Sequence, residues 1–479
     1  MNEPLTEQRK PQDRKYFIKT FGCQMNMHDT ERMSALLGGQ GYHAATEMSE
    51  ADLVIFNTCS IRDKAEQKAY SSMGLLRKDG KKKNPNLKIG FTGCVAQQDR
   101  ETVFQGAPHL DFVIGTDAID QLPEVLYRVN HGEEKVMQTG FDPSNDYSLE
   151  TKILPGRSIA YVNIMKGCDN FCTYCIVPFT RGREKSRKLD EIVQDVKRLI
   201  LGGVVEITLL GQNVNSYGKS LGGKREGQTF PALLRELQTM ADDLDARGVT
   251  DPTGRSTRPT GLRRIRYTTS HPKDFDEEMI ECHASLSRVV PHLHLPVQSG
   301  SVSILKRMKR YVPIDLYKSR LAELRRRVPD ITITTDLIVG FPGETDEDFE
   351  LTMNLVSEVK FDTIFCYTYS PRPGTAALEF GDPIPESVKK NRHTRLTDLQ
   401  TSIQVAKNYE QIGRVEEILC EGPSKTEPLI ATGRTLGMRV VNFTLPNGVK
   451  SPQDLAGRMV PVKITEANSF SLKGEPALL

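Results

Sequence analysis

Short apolar runs alternate with helix-like stretches along most of the chain. In the first third the runs 16–22, 53–58 and 89–93 read as strands, and each is followed at once by a cysteine: Cys23, Cys59 and Cys94. The stretches 29–37 and 64–76 between them have helical spacing. Strands alternating with helices predict a parallel sheet, whose following loops gather on one edge, where ligands bind. Three cysteines at three equivalent strand ends are therefore expected to converge, although 36 and 35 residues separate them in sequence.

Six more strand-like runs follow, at 159–165, 204–210, 263–269, 292–295, 331–339 and 363–369. After the first, Ile192, Val193, Val196, Leu199 and Ile200 fall on one helical face, closed by Gly202-Gly203. Thr345 is a helix N-cap, with the acids Asp346, Glu347 and Asp348 in the first turn. Six β/α units predict an incomplete barrel with its chemistry at the C-terminal ends of the strands. The loops there hold Gly211, Gln212, Asn213, Ser270, Gln298, Ser299 and Gly340. Their small and amide side chains suit close approach and hydrogen bonding to a cofactor.

Farther on, Leu396, Leu399, Ile403 and Ala406 mark a helix that ends near Gly413. The period then switches to two over 415–419, 436–443 and 460–464, which predicts a small β-barrel. The expected organisation is α/β. A tail (1–14) precedes an open parallel-sheet domain (15–131), and a polar linker (132–158), with Pro143, Asn145, Pro155 and Gly156, leads to a partial (β/α)6 barrel (159–395). A connecting helix (396–412) and a C-terminal β-barrel (413–479) complete it. The stretch 242–262 lacks apolar periodicity and reads as an exposed loop.

Composition narrows the class. At about 150 residues per domain, the 479 residues fit three domains. With 26% charged residues, no apolar run long enough to span a bilayer and a polar start, a cytoplasmic location with no membrane contact is expected. Nine cysteines, an odd number, argue for free thiols or metal ligands over a disulfide framework. A net charge of +2 makes no case for nucleic acid. Local basic stretches carry that question: 181–188, 255–266, and Lys389, Lys390, Arg392 and Arg395. A charge run is as readily a solvated face as a phosphate contact.

Cys168, Cys172 and Cys175 stand at C-x3-C-x2-C behind the first barrel strand. Iron–sulfur clusters are held mainly by thiolates, and three thiolates on four irons leave one iron open to another ligand. A zinc site would want a second C-x2-C or an H-x3-5-H, and neither occurs nearby. Cys23, Cys59 and Cys94 read as a second open cluster site, against the plainer reading of small buried hydrophobes. Cys282, Cys366 and Cys420 have no companions and read as structural thiols.

From about Lys15 onward the chain resembles the methylthiotransferase family, and within it the MiaB branch that acts on tRNA. The residues that carry the resemblance are Thr20-Phe21-Gly22-Cys23-Gln24-Met25-Asn26, Asn57-Thr58-Cys59-Ser60-Ile61-Arg62, Gly93-Cys94-Val95-Ala96-Gln97-Gln98, and the Gly167–Cys175 loop with Thr180-Arg181-Gly182-Arg183-Glu184. Thr268-Thr269-Ser270-His271-Pro272 and 294–301 also fit, and the C-terminal barrel resembles a TRAM domain. The resemblance implies two [4Fe-4S] clusters and S-adenosylmethionine (SAM). The cluster on Cys168, Cys172 and Cys175 would split SAM to a 5′-deoxyadenosyl radical. The one on Cys23, Cys59 and Cys94 would carry the sulfur, methylated by a first SAM. The product would be 2-methylthio-N6-isopentenyladenosine at tRNA position 37. SAM contacts are expected from the barrel loops named above, and RNA contacts from Arg181, Arg183, Lys185 and Arg187.

No side-chain base removes an unactivated adenine C–H as a proton, so the cofactor must supply a radical route. Expected partners are tRNA, an electron donor such as flavodoxin or ferredoxin, and a sulfur or cluster delivery system, with the chain a monomer. The alternatives are a methylthiotransferase acting on threonylcarbamoyladenosine or a ribosomal protein aspartate, and a non-catalytic metal-bearing RNA-binding protein.

Overall fold

The computed structural model describes residues 14–60, 67–74, 76, 84–141, 151, 157–221, 227–248, 261–381 and 383–477. The chain divides into two units. One takes Met1–Lys152, Lys166–Asp169 and Ile176–Glu184, and the other Ile153–Met165, Asn170–Cys175 and Lys185–Leu479. The four linker residues Pro143, Asn145, Pro155 and Gly156, together with Ile61, Arg62, Arg255 and Arg258, lie outside the described residues.

The first unit is built on a parallel sheet of β1 (Lys15–Thr20), β2 (His43–Ala44), β3 (Leu53–Thr58), β4 (Lys88–Gly93), β5 (Phe112–Ile114) and β6 (Val136–Gln138). Their order is β2-β1-β3-β4-β5-β6. Strand β3 shows why its first four residues are all apolar. Val54 and Phe56 pack with Ile89 and Phe91 on one face. Leu53 and Ile55 pack with Met33, Leu37, Val125 and Leu126 on the other. A parallel strand covered on both faces needs an unbroken apolar run. Strand β6 lies inside the stretch read as linker and forms the sheet's edge beside β5.

The second unit holds all six predicted barrel strands: β7 (Ile159–Asn163), β8 (Glu206–Leu210), β9 (Arg264–Tyr267), β10 (His292–His294), β11 (Thr332–Val339) and β12 (Thr363–Thr368). They pair in parallel as β7-β8-β9 and β10-β11-β12. A parallel bridge from Ile265 to Val289 joins the two halves. The predicted helix is Leu189–Leu201 and buries Ile192, Val196, Leu199 and Ile200. Thr345 caps Asp346–Val359 in a reciprocal box with Asp348. One expectation is corrected: residues 242–246 are the last turn of the helix Phe230–Ala246. Asp242 and Asp245 both pair with Arg288, at 2.6 and 2.9 Å.

The last strands are β13 (Val415–Pro423), β14 (Ala431–Arg434), β15 (Val440–Phe443), β16 (Met459–Ala467) and β17 (Leu472–Pro476). They close a barrel in the order β13-β14-β15-β17-β16. Ile418, Cys420, Val441, Phe443, Val462 and Ile464 fill it. Buried arginines tie it to the central strands. Arg264 donates to the carbonyls of Glu417 and Arg434, and Arg266 to those of Thr435 and Leu436, at 2.7–3.0 Å. Arg266 also pairs with Glu206 at 2.9 Å.

The connecting helix begins at Glu386, ahead of the expected start, and runs to Tyr409. It carries Lys389 and Arg392 into the interior, where Arg392 pairs with Glu344 at 2.7 Å. Two of the basic stretches thus hold buried structural cations, a different role from the phosphate contact considered for them.

Candidate iron–sulfur and cofactor sites

In the first unit the strand order reverses at β1, with β2 on one side and β3 on the other. Ligands of open parallel sheets bind outside the strand ends at such a point. Cys23 follows β1, Cys59 follows β3 and Cys94 follows β4, so the thiols leave three adjacent strands at one edge. Two glycines bring the loops close. Gly22, at φ +120°, leaves no room for a Cβ, which would meet Cys59 Cβ at 2.3 Å. Gly93, at φ +95°, would put one 2.2 Å from the Thr58 carbonyl. Asn26 Nδ2 donates to Asn57 Oδ1 and the Thr58 carbonyl at 3.0 and 2.8 Å, and Asn57 Nδ2 donates back to the Asn26 carbonyl at 2.8 Å. This exchange ties the first turn of the helix after β1 to the end of β3.

Cys59 and Cys94 are buried. Cys23 is the N-cap residue of the helix Gln24–Gly39, and its Sγ donates to Asn26 Oδ1 at 3.3 Å. Its thiol is drawn down to about 6, first by a hydrogen bond with Cys59, against the cost of burial, with help from Arg181 and the N–H groups of Asn26 and Met25. Burial pushes Cys94 up, and Arg181 opposes that shift as a charge and as a hydrogen-bond donor. Arg181 is itself buried and donates to Asp29 Oδ2 at 2.8 Å.

It arrives on the helix Val177–Arg181, which follows the C-x3-C-x2-C loop. That segment folds with the first unit: Thr116 Oγ1 donates to the Thr180 carbonyl, and Lys166 pairs with Asp117. Ser60 Oγ and Thr92 Oγ1, next to Cys59 and shortly before Cys94, are buried without a hydrogen-bond partner.

Three thiols, two of them fully enclosed, with a buried cation and unpartnered hydroxyls alongside, form a donor set that fits an iron–sulfur cluster. Among the described residues no group of three or more Cys, His, Asp or Glu side chains is gathered for a single metal ion. A cubic cluster draws its thiolates from separate corners, so that finding bears on mononuclear sites only.

The Cys168–Cys175 loop divides between the units: Lys166–Asp169 belong to the first and Asn170–Cys175 to the second. In the first, the Cys168 N–H donates to the Gly182 carbonyl at 3.2 Å. Gly167, at φ +71°, passes close to the Arg183 carbonyl. In the second, the Cys175 N–H donates to the Cys172 carbonyl at 2.9 Å, and the Thr173 N–H to the Met308 carbonyl at 3.0 Å. Arg310, buried, sets one guanidinium nitrogen 3.8 Å from Cys172 Sγ and donates from the other to the Pro296 carbonyl. Two buried thiols and one partly exposed, with a charged donor at Cys172, are a donor set that fits a second cluster.

The loops expected at SAM divide into two groups. Gly211 packs against Met165, and Gly340 against Lys389 while its N–H donates to Glu344 at 2.6 Å. Asn213 donates to Asp274 at 2.7 Å and accepts from the His271 N–H at 3.1 Å. Ser299 Oγ accepts from the Ser301 N–H at 3.1 Å. These four are occupied within the protein. By contrast, Gln212 Oε1 and Ser270 Oγ are buried without a partner. Gln298 is also buried, and held at φ +78°.

The expected RNA contacts divide as well. Arg181 and Arg187 are buried and paired with Asp29 and Asp195, so neither faces a phosphate backbone. Arg183 is exposed and paired with Asp169 at 2.6 Å, and Lys185 is partly exposed.

Sequence reading missed Asp29, Asn26 and Arg310. The first two carried a usable signal: three polar residues, Asn26, His28 and Asp29, occupy the buried face of a helix directly after a cysteine. Arg310, far from any cysteine in sequence, carried none.

Residues 15–115 match the family described as "Uncharacterized protein family UPF0004", 162–356 the radical SAM superfamily, and 410–477 the TRAM domain. Three relatives share the name tRNA-2-methylthio-N(6)-dimethylallyladenosine synthase. That of Carboxydothermus hydrogenoformans is 42% identical, covering 96% of this chain and 99% of its own. That of Syntrophobacter fumaroxidans is 43% identical, covering 97% and 96%. That of Clostridium botulinum (strain Okra) is 42% identical, covering 99% and 100%. The chain belongs to the tRNA-2-methylthio-N(6)-dimethylallyladenosine synthase family.

As a member of this synthase family it is a radical SAM transferase with an iron–sulfur cluster and SAM as cofactors. Among solved structures, the radical S-adenosylmethionine methyltransferase TsrM of Kitasatospora setae, with cobalamin and a [4Fe-4S] cluster bound, aligns with a TM-score of 0.53. It is 11% identical and covers 94% of this chain and 83% of its own, a likeness of fold. Among the described residues of this synthase-family chain, no helix is long and apolar enough to cross a membrane.

Proposed function

We propose that the chain transfers a methylthio group to C2 of N6-dimethylallyladenosine at position 37 of tRNA, using two [4Fe-4S] clusters and two SAM per turnover. The observation that carries the reading is the gathering of Cys23, Cys59 and Cys94 at three adjacent strand ends with buried Arg181, apart from the C-x3-C-x2-C loop. Radical cleavage of SAM needs one set of cysteines, so a second buried set supports a second task. The full-length likeness to synthases of one name supports the adenosine substrate over threonylcarbamoyladenosine or a protein aspartate.

When bound, an open-iron cluster supplies the electron and the anchor for SAM that radical chemistry needs. The chain's own residues hold and orient. Cys168, Cys172 and Cys175 ligate one cluster, and Cys23, Cys59 and Cys94 the other. Arg310 donates toward Cys172. Gln212, Ser270 and Gln298 offer hydrogen bonds to SAM's polar groups, while Gly211, Asn213, Ser299 and Gly340 shape the loops around them. Arg183 and Lys185 face tRNA phosphates, with the C-terminal barrel as a second RNA surface. No acid or base from the protein is needed. The reading includes a flavodoxin- or ferredoxin-type donor, a sulfur or cluster delivery system, and a cytoplasmic monomer.

Nucleoside mass analysis of tRNA from cells lacking the protein tests it. The expected result is loss of 2-methylthio-N6-dimethylallyladenosine with build-up of the unthiolated nucleoside. Unchanged tRNA would sink the substrate assignment.

A further inference from the structure

Arg181 stands six residues after Cys175, in the stretch that sequence reading assigned to phosphate contact, yet it is buried and paired with Asp29 in the first unit. Asp29 holds the guanidinium at 2.8 Å, and the helix Val177–Arg181 that carries it packs against the helix Cys94–Asp99. Asp29 is fixed in turn by the helix Gln24–Gly39, whose N-cap is Cys23. The cation thus comes from the segment beyond one cysteine set, and its carboxylate anchor from the helix that begins at the other.

A buried cation serves this place physically. Ligating thiolates bring negative charge into an enclosed volume, where charge interacts more strongly than in water. Cluster potentials follow net charge and hydrogen bonds to sulfur. A neutralised pair is also adjustable, since removing either member shifts the local field in opposite directions.

We propose that Arg181 is a positioning residue of the Cys23–Cys59–Cys94 site, and that the Arg181–Asp29 pair sets the reduction potential of the cluster held there. Arg181 supplies the positive field and the donor to Cys94. Asp29 aims the guanidinium and offsets part of its charge. The segment 176–184 thereby becomes part of the sulfur-delivering site, and a phosphate-binding role for Arg181 is excluded by its burial.

The proposal rests on the two-cluster reading, and one experiment separates their failures. The full-length Cys168→Ala/Cys172→Ala/Cys175→Ala protein is reconstituted anaerobically, assayed for iron and sulfide, and titrated potentiometrically by electron paramagnetic resonance. The same is done with Arg181→Gln, Arg181→Lys and Asp29→Asn added. The expected result is a lower potential for Arg181→Gln, a higher one for Asp29→Asn, and a value near the parent for Arg181→Lys. A purely structural role would not produce shifts of opposite sign. If the parent binds no iron, the two-cluster reading fails. If the cluster is present and Asp29→Asn leaves its potential unmoved or lowers it, the role given to Arg181 is wrong. Should Arg181→Gln lose its iron, Asp29→Asn and Arg181→Lys decide the matter.

Discussion

Cys168, Cys172 and Cys175 fall within eight residues of one loop, whereas Cys23, Cys59 and Cys94 come from the ends of three separate strands. The loop set is a local motif, readable without any fold. The strand-end set exists only once β1, β3 and β4 lie side by side. Each set has one buried arginine, but the two differ. Arg181 is paired with Asp29, while Arg310 donates to Cys172 and a backbone carbonyl and forms no ion pair among the described residues. Similar thiolate chemistry is thus set in two electrostatic surroundings, one with a compensated cation and one with an uncompensated cation. On the proposed two-cluster reading, such a difference suits two tasks, electron delivery to SAM at one set and sulfur holding at the other.

The largest effect expected is a clean division of labour. Cys168→Ala/Cys172→Ala/Cys175→Ala abolishes formation of 5′-deoxyadenosine, and Cys23→Ala/Cys59→Ala/Cys94→Ala keeps SAM cleavage but yields no methylthio product. Chromatography of both products checks this, and a strand-end variant that still methylthiolates tRNA breaks the comparison.

A smaller effect is expected at Arg310. Outer partners of metal ligands typically change activity by about 10–100-fold when lost. Arg310→Gln should slow SAM cleavage on that order while leaving the strand-end cluster's spectrum unchanged. Equal changes at both clusters would mean that the arginine acts through general stability.

The smallest effect separates the units by pH. Three histidines of the second unit, His271, His283 and His292, are drawn down by burial. His283, beside Tyr267 Oη at 2.6 Å, is lowered to about 4. Between that value and the ordinary 6.5, the unfolded chain binds the proton and the folded chain does not. Its contribution is therefore full above pH 6.5 and lost as pH falls toward 4, at most about 3 kcal/mol. Urea unfolding should show the second unit weakening from pH 7 to pH 5, with a shallower fall in His283→Gln. An equal fall in the variant removes His283 as the cause.

Strands β1, β3 and β4 and the six barrel strands of the second unit were legible as apolar runs, the pattern that buried parallel strands demand, whereas the short β2 and β5 were not read at all. What escaped notice was short or held by tertiary contacts. Strand β6 is three residues in a polar stretch, and β14 and β17 are brief pieces of a closed barrel. Residues 242–246 lose apolar periodicity yet stay helical because Arg288 pairs with Asp242 and Asp245. The Cys168–Cys175 spacing was legible as a motif, and the placing of Cys23, Cys59 and Cys94 after adjacent strands followed from the strand pattern, but the fate of each arginine was not legible. Arg181, Arg183 and Arg187 look alike in sequence, and burial is decided by which carboxylate the fold brings near: Asp29 and Asp195 in the interior, Asp169 at the surface.

The most direct test of two separate sites is the iron content of the reconstituted Cys168→Ala/Cys172→Ala/Cys175→Ala protein. One remaining cluster, about four irons per chain, is the predicted result. A protein with no bound iron, or with the full content of the unaltered chain, would contradict it.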